Sequence, residues 1–154
     1  KPSKPAEGNQ GILIVGVDKL LTQLGRCCKP APPDSIQGFV TRGKGVSIHR
    51  ADCPNFANLA ALHPERVIET DWGGQTTGVF ATDIVVDAHD RQGLLRDISD
   101  VFTREKINVI GVNTQSKQGR AHMGFTVEIG NLQQIQRTLA LIHEVEGVVA
   151  ARRV

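Results

Sequence analysis

Three cysteines and one histidine lie close together in the first third of the chain, and their types suit metal binding. Cys27 and Cys28 are adjacent, while His49 and Cys53 begin and end a His-Arg-Ala-Asp-Cys run. Three thiols and one imidazole supply the four ligands of a tetrahedral zinc site. The spacing differs from the usual pair of cysteines separated by two residues. The pattern alone therefore leaves zinc binding open beside its alternatives.

Three alternatives use the same residues without a metal. Free cysteine is common as a buried apolar residue, so the thiols could simply pack in a core. Disulfides are disfavoured, because the chain has 3 cysteines and its first residues do not form a secretory signal. A nucleophilic thiol could use His49 as its base, but nothing nearby in the sequence indicates a substrate pocket.

The composition predicts a cytoplasmic fragment made of one ordinary domain or two small ones. The chain has 154 residues, of which 40% are hydrophobic and 4% aromatic. We find no run of about 18 apolar residues, the length that a membrane-spanning helix needs. Residues 1–10 are polar and rich in proline, which is typical of a linker and suggests a piece of a longer protein.

The charge is unevenly distributed although the net charge is only +2. Residues 19–50 contain six basic residues and one acidic residue, whereas the nine basic and nine acidic residues from 79 to 154 cancel. The first part therefore carries the predicted anion-binding surface, with a merely solvated face as the alternative. Aromatic residues are nearly absent there. Contact with the phosphates of structured RNA is thus favoured over base stacking on single strands.

The sequence from 11 to 72 predicts a small first module. We expect a strand over 12–17, then a short helix with Leu20, Leu21 and Leu24, capped by Asp18. Three prolines between 30 and 33 enforce a loop.

Residues 36–49 predict a hairpin with glycines in its turn. A helix capped by Asp52 should begin at Pro54, and a last strand should cover 67–72. The buried face of this helix is predicted to contain Phe56, Leu59, Ala60 and Leu62. The module has few apolar residues with which to build a core, so a metal crosslink would help it to fold.

The second module begins after a glycine-rich hinge at 73–78 and is predicted to cover 79–154. Alternating apolar residues at 121–129 indicate a half-buried strand, and Asn131 can cap a following helix. The order βαββαβ predicts an α+β, ferredoxin-like domain with both helices on one face. The predicted elements are strands over 80–88, 107–116, 121–129 and 148–154, and helices that begin near 93 and 131.

The loop between the first strand and first helix of this second module is a candidate ligand site. Backbone N–H groups at the helix start could hold a small carboxylate. The alternative is that Gly93 only permits the turn and Asp90 only caps the helix. The open face and edges of such a sheet are usually covered by another domain or a second copy.

Two motifs resemble the C-terminal regulatory region of the long RelA/SpoT stringent-response proteins, which synthesise and hydrolyse (p)ppGpp. Arg26-Cys-Cys-Lys-Pro and Gly43-Lys-Gly-Val-Ser-Ile-His-Arg-Ala-Asp-Cys53 are similar to the conserved-cysteine, or zinc-finger, domain of that family. His89-Asp-Arg-Gln-Gly-Leu-Leu-Arg-Asp-Ile98 resembles its ACT domain. This last motif and the terminal Ala-Arg-Arg are more similar to the RelA branch than to the SpoT branch.

The resemblance implies a ligand set and a partner for the first module. The family's zinc ligands match Cys27, Cys28, His49 and Cys53. In the RelA branch this region docks on the ribosome near the A site and its deacylated tRNA, through ribosomal RNA. The residues expected to contact RNA are Arg26, Lys29, Arg42, Lys44 and Arg50.

The resemblance also implies that the catalytic domains lie elsewhere in a parent GTP pyrophosphokinase, which transfers pyrophosphate from ATP to GTP or GDP. We expect this fragment to regulate that activity without catalysis of its own. Its ACT module should pack against RNA, a second copy or the catalytic half. ACT domains also often bind amino acids. A branched-chain amino acid would then contact Asp90, Arg91, Gly93 and Leu94.

Overall fold

The computed structural model describes residues 12–14, 21–43, 45–73 and 78–154. It separates into two compact units, of which the first ends at Gly78 and the second runs from Val79 to Val154. The predicted linker at 1–10 and most of the predicted hinge lie outside the described residues.

The strands of the first unit are β1 (Ile12–Ile14), β2 (Thr22–Leu24), β3 (Ile36–Val40), β4 (Val46–Arg50), β5 (Val67–Ile68) and β6 (Thr70–Trp72). Four of them form a sheet with the order β2-β4-β3-β5, and β1 and β6 form a separate antiparallel pair. In the four-stranded sheet β2 runs parallel to β4, and the other pairs are antiparallel. Ile36, Val46 and Ile48 form the centre of its core.

The predicted short helix around Leu21 and Leu24 is wrong, because Thr22–Leu24 forms β2 instead. The N–H of Val46 donates to the carbonyl of Leu21 at 2.8 Å, and the N–H of Gly25 donates to that of Ile48 at 2.7 Å. A helix of so few residues is marginal by itself, so pairing with β4 outweighs its propensity. The predicted cap Asp18 and Leu20 lie outside the described residues.

The predicted hairpin is confirmed, with Ile36 opposite Arg50 and Val40 opposite Val46. At its turn the N–H of Thr41 donates to the carbonyl of Gly45 at 2.8 Å. Gly45 has a φ of 82° and its hydrogen faces the Leu21 carbonyl, so a side chain there would clash.

The helix after the hairpin, α1 (Pro54–Leu62), begins with proline as predicted, but its N-cap differs from the prediction. The N-cap residue is Cys53, whereas the carboxylate of Asp52 pairs with Arg50 at 3.2 Å. Phe56 is buried, but Leu62 is 73% exposed and was wrongly predicted as core. The single strand predicted over 67–72 is in fact divided into β5 and β6, which pair with different strands.

The elements of the second unit are β7 (Phe80–His89), α2 (Leu94–Arg104), β8 (Asn108–Lys117), β9 (Arg120–Ile129), α3 (Leu132–His143) and β10 (Val148–Arg153). They confirm the ferredoxin-like prediction, since an antiparallel sheet of order β10-β7-β9-β8 carries two helices. One face of β7 and β9 is buried, as are Ile98 and Phe102 of α2. Asn131 caps α3 by accepting from the N–H groups of Gln133 and Gln134.

Candidate metal centre

Three structural elements bring the cysteines and the histidine together. His49 lies on β4, and Cys53 caps the start of α1. Cys27 and Cys28 lie in the turn that follows β2. Because β2 is parallel to β4, with Leu24 opposite Ile48, the residues after β2 lie next to His49. The pairing of β2 with β4, which replaces the predicted helix, thus also brings these residues together.

Four of the six distances between the ligand atoms are close to those of a tetrahedral centre. His49 Nδ1 is 3.5 Å from Cys27 Sγ, 3.7 Å from Cys28 Sγ and 3.8 Å from Cys53 Sγ, and the Sγ atoms of Cys27 and Cys53 are 3.6 Å apart. With ordinary zinc bond lengths, a tetrahedron requires separations of about 3.6 to 3.8 Å. All four atoms lie within 4.8 Å of one another, and all three cysteines are free. The cluster can therefore hold a metal ion.

The ligands are graded in exposure from solvent to core. Cys27 is exposed and Cys28 is half-buried, whereas His49 is 6% and Cys53 3% exposed. Cys53 packs with Phe39 and Phe56 in a small apolar cluster. A metal bound here would face solvent on the Cys27 side and crosslink the core on the other.

The protonation states of the ligands reflect this burial. Burial raises the pKa of the Cys28 thiol to about 12, helped by the neighbouring thiols and opposed by the N–H of Arg50. For Cys53 burial also acts to raise the pKa, but the N–H of Phe56 and the other two thiols outweigh it and lower the pKa. Burial lowers the pKa of His49, which favours the neutral imidazole that a metal requires.

Several of the predicted RNA-binding residues lie beside this cluster. Arg26 is exposed and precedes Cys27, and Lys29 follows Cys28 and donates from Nζ to the carbonyl of Arg26 at 3.3 Å. Arg42 is exposed at the hairpin turn, while Lys44 lies outside the described residues. Arg50 is largely engaged, since its guanidinium pairs with Asp52 and donates to the carbonyl of Cys28 at 3.5 Å.

Sequence reasoning missed two residues that shape the site. A Cβ atom on Gly25 would lie 2.9 Å from His49 Nδ1, so the imidazole needs the space that glycine leaves. Ser47 Oγ is 3.1 Å from His49 Nε2. The alternation of β4 was the available signal for Ser47, because residues two apart on a strand share a face.

The four predicted ligand-binding residues of the second unit line one open cavity of about 320 Å³. Gly93, with a φ of 84°, is the N-cap of α2, so Asp90 does not cap the helix. Arg91 donates from Nη2 to Asp97 at 2.8 Å and from Nε to the carbonyl of Glu146 at 2.9 Å. The hydrogen bond from Arg91 lowers the pKa of Asp97. The cavity is lined by Asp90, Arg91, Gly93, Leu94, Leu95, Arg96, Thr114, Ser116, Ala121 and Met123.

Curated relatives of this chain are GTP pyrophosphokinases. That of Haemophilus influenzae is 43% identical over 151 residues, which cover 96% of this chain and 20% of that protein. That of Escherichia coli K12 is 41% identical over 154 residues, covering 99% of this chain and 21% of that protein. A crystal structure of the ACT domain from the Chlorobium tepidum GTP pyrophosphokinase covers 50% of this chain and 100% of that chain, at 18% identity and a TM-score of 0.46. This chain thus spans about a fifth of the length of the curated relatives it matches.

Two protein-family models cover nearly all of the chain. The RelA/SpoT RIS domain matches residues 12–73, and the ACT domain matches residues 76–153. Among the residues that the structure describes, none of the helices is both long and apolar enough to span a membrane. The resemblance carried by the two sequence motifs is confirmed: this chain belongs to the RelA/SpoT family and combines a RIS domain with an ACT domain.

Proposed function

We propose that this chain is the regulatory region of a RelA-type GTP pyrophosphokinase and couples the sensing of deacylated tRNA on the ribosome to (p)ppGpp synthesis. The observation that supports this best is the match of the whole chain to about a fifth of each such enzyme. Transfer of pyrophosphate from ATP to GTP or GDP then belongs to the rest of the parent protein. The present chain governs when this transfer occurs, in the cytoplasm where ribosomes are found.

We propose zinc as the ion held by Cys27, Cys28, His49 and Cys53. Thiolate and imidazole ligands in a tetrahedral arrangement suit zinc, and four protein ligands leave no open position for a reacting water. The ion would therefore crosslink the turn after β2, strand β4 and the start of α1. Its role is structural, and it takes no part in pyrophosphate transfer.

The proposed RNA surface surrounds this site. Cys27 and Cys28 lie between Arg26 and Lys29, so a bound ion fixes the positions of both basic residues. Phe39 is 3% exposed and cannot stack on a base. We therefore propose phosphate contacts to ribosomal RNA by Arg26, Lys29, Arg42, Lys44 and Arg50.

Cosedimentation with ribosomes tests this function directly. Wild-type chain should bind ribosomes with deacylated tRNA in the A site, and a double variant Arg26→Gln, Arg42→Gln should bind more weakly, with a shallower salt dependence. Arg137→Gln is the matched control, because this exposed arginine of the second unit pairs with Glu105 at 3.0 Å. Equal binding of all three proteins would contradict the proposed surface.

A second candidate function is amino-acid sensing, which the cavity beside α2 favours. Its volume of about 320 Å³ suits a small ligand, and Asp90, Arg91, Gly93 and Leu94 line one side. We propose a branched-chain amino acid as the ligand. Calorimetry with valine, isoleucine and leucine should show binding, with lysine as the control. The absence of heat with all three would remove this candidate.

We further propose that the ACT domain forms a homodimer through β8 or packs on the catalytic domains. Strand β8 lies at one edge of its sheet, and Ile110 and Val112 are 53% and 51% exposed. Exposed edge strands with apolar side chains favour pairing. Sedimentation equilibrium should show a dimer that Val112→Lys weakens. A monomer at all concentrations would leave the catalytic domains as the partner.

We propose four segments along the chain: a linker at 1–10, a zinc-finger domain at 11–72, a hinge at 73–78 and an ACT domain at 79–154. The glycine-rich composition of 73–78 supports the hinge. Limited proteolysis should cut first within 73–78 and release two resistant pieces. Initial cleavage inside either piece would require different boundaries.

A further inference from the structure

The hydroxyl group of Ser47 faces the side of the His49 ring that points away from the three thiols. His49 Nδ1 lies within 3.8 Å of each Sγ, whereas Nε2 lies 3.1 Å from Ser47 Oγ. We propose that Ser47 is a positioning residue that fixes the tautomer and the ring orientation in which His49 presents Nδ1 to the metal. This inference rests on the proposed metal site.

The sheet places Ser47 between the histidine and a backbone acceptor. Ser47 and His49 are two residues apart on β4 and therefore share a face. Ser47 lies opposite Phe39 in the hairpin register, and its hydroxyl donates to the Phe39 carbonyl at 3.5 Å. The contacts thus run from the thiols through the imidazole and the hydroxyl to the main chain of β3.

With a metal on Nδ1, the hydrogen bonds that link His49, Ser47 and Phe39 can form with only one assignment of donors and acceptors. A neutral imidazole carries one N–H, and a metal on Nδ1 uses the lone pair of that atom. The proton must then lie on Nε2 and is donated to Ser47 Oγ, while the hydroxyl proton of Ser47 is donated to the Phe39 carbonyl. With the proton on Nδ1 instead, the ring would direct its N–H at the thiol sulfurs and could not bind the ion through that atom.

The surroundings of the ring make this partner important. His49 is 6% exposed, its ring centroid lies 5.8 Å from that of Phe56, and its Nδ1 side occupies the space left by the absent side chain of Gly25. A buried Nε2–H without an acceptor costs free energy, which would favour the wrong tautomer or a rotated ring. Partners of this kind typically account for a large share of metal affinity.

Zinc affinity, measured by chelator competition on the whole chain, tests the proposal. Ser47→Ala removes the acceptor and should lower the affinity by about 10- to 100-fold. Ser47→Thr keeps the hydroxyl on a strand and should retain wild-type affinity. Thr41→Ala is the matched control, because it removes a hydroxyl from the same hairpin, one that donates to the Gly45 carbonyl at 2.8 Å.

Imidazole ¹H–¹⁵N spectra of the zinc-loaded proteins separate positioning from simple destabilisation. Wild type and Ser47→Thr should show a His49 Nε2–H that exchanges slowly with water, and Ser47→Ala should show rapid exchange. Wild-type affinity in Ser47→Ala, or an Nε2–H equally protected there, would overturn the proposal while leaving the zinc site intact. A wild-type chain that binds no zinc would overturn the metal site and this inference together.

Discussion

The backbone N–H of Arg50 donates a hydrogen bond to Sγ of Cys28 across 3.3 Å. A candidate RNA-binding residue is therefore joined directly to a candidate metal ligand. The guanidinium of Arg50 strengthens the connection, because it also donates to the carbonyl of Cys28 at 3.5 Å. Metal binding and the geometry of the basic surface should thus change together.

Removal of the metal should weaken RNA binding by releasing the turn that carries Arg26 and Lys29. If both phosphate contacts are lost, the slope of log affinity against log salt should become shallower by about two. Anisotropy titrations of a structured ribosomal RNA fragment at several salt concentrations, with and without chelator, measure this slope. Identical slopes would separate the metal from the RNA surface, and readdition of zinc is the control for reversibility.

Substitution Cys53→Ala should destabilise the first unit selectively. Cys53 is 3% exposed, packs with Phe39 and Phe56, and is one of the four candidate metal ligands. We expect the zinc-loaded chain to lose more than about 3 kcal/mol of stability against urea.

The single tryptophan, Trp72, reports on the first unit alone, and its Nε1–H donates to the Asp34 carbonyl at 2.8 Å. Its fluorescence should therefore follow the unfolding of the destabilised first unit in urea. The unfolding of the second unit, followed by its helical circular dichroism, should be little changed. The exposed control Ser35→Ala should change stability by less than about 0.5 kcal/mol. Equal loss in both units would contradict a local metal crosslink.

The stability of the metal-free first unit should fall on acidification. Burial lowers the pKa of His49, so the unfolded chain binds a proton more readily than the folded one. This contribution is present above the ordinary histidine pKa of about 6.5 and is lost as the pH falls below it. Urea midpoints from Trp72 fluorescence between about pH 5 and 8 measure it. The variant His49→Gln should make the urea midpoint less dependent on pH. A midpoint that rises as the pH falls would contradict the prediction.

Zinc binding should release protons at neutral pH. The pKa of Cys28 is raised to about 12, chiefly by burial, so this thiol is protonated before the ion binds and must lose its proton as a ligand. Calorimetry in two buffers of different ionisation enthalpy gives the number released, and we expect at least one. The variant Cys28→Ser should release fewer protons, and no dependence on the buffer would contradict thiolate ligation by Cys28.

Substitution Arg91→Ala should raise the pKa of Asp97 toward its ordinary value. The hydrogen bond from Arg91, at 2.8 Å, is the main cause of the lowered pKa, and Arg96 contributes less from 3.5 Å. NMR titration of the Asp97 carboxyl should show a larger rise for Arg91→Ala than for the control Arg96→Ala. A larger rise for Arg96→Ala would mean that Asp97 does not hold Arg91, which would then be available to a ligand.

Local patterns in the sequence were enough to predict the second unit, but not the assembly of the first. The alternation at 121–129 and the cap at Asn131 are local signals, and both appear in the structure. The strand at Thr22–Leu24 depends on its parallel neighbour β4, which no local pattern reveals. Asp52 pairs with Arg50 instead of capping α1, and the ring of His49 turns Nε2 toward Ser47. Residue types alone predict neither contact.

The parallel pairing of β2 with β4 sets an order on the folding of the first unit. Strand β4 meets β3 through a short hairpin, whereas β2 must reach β4 from a distant point in the sequence, and such non-local pairing forms slowly. That pairing places Cys27 and Cys28 next to His49. During synthesis the four ligands cannot meet before Cys53 has left the exit tunnel. A metal held by all four residues would therefore mark chains in which β2 has already joined β4.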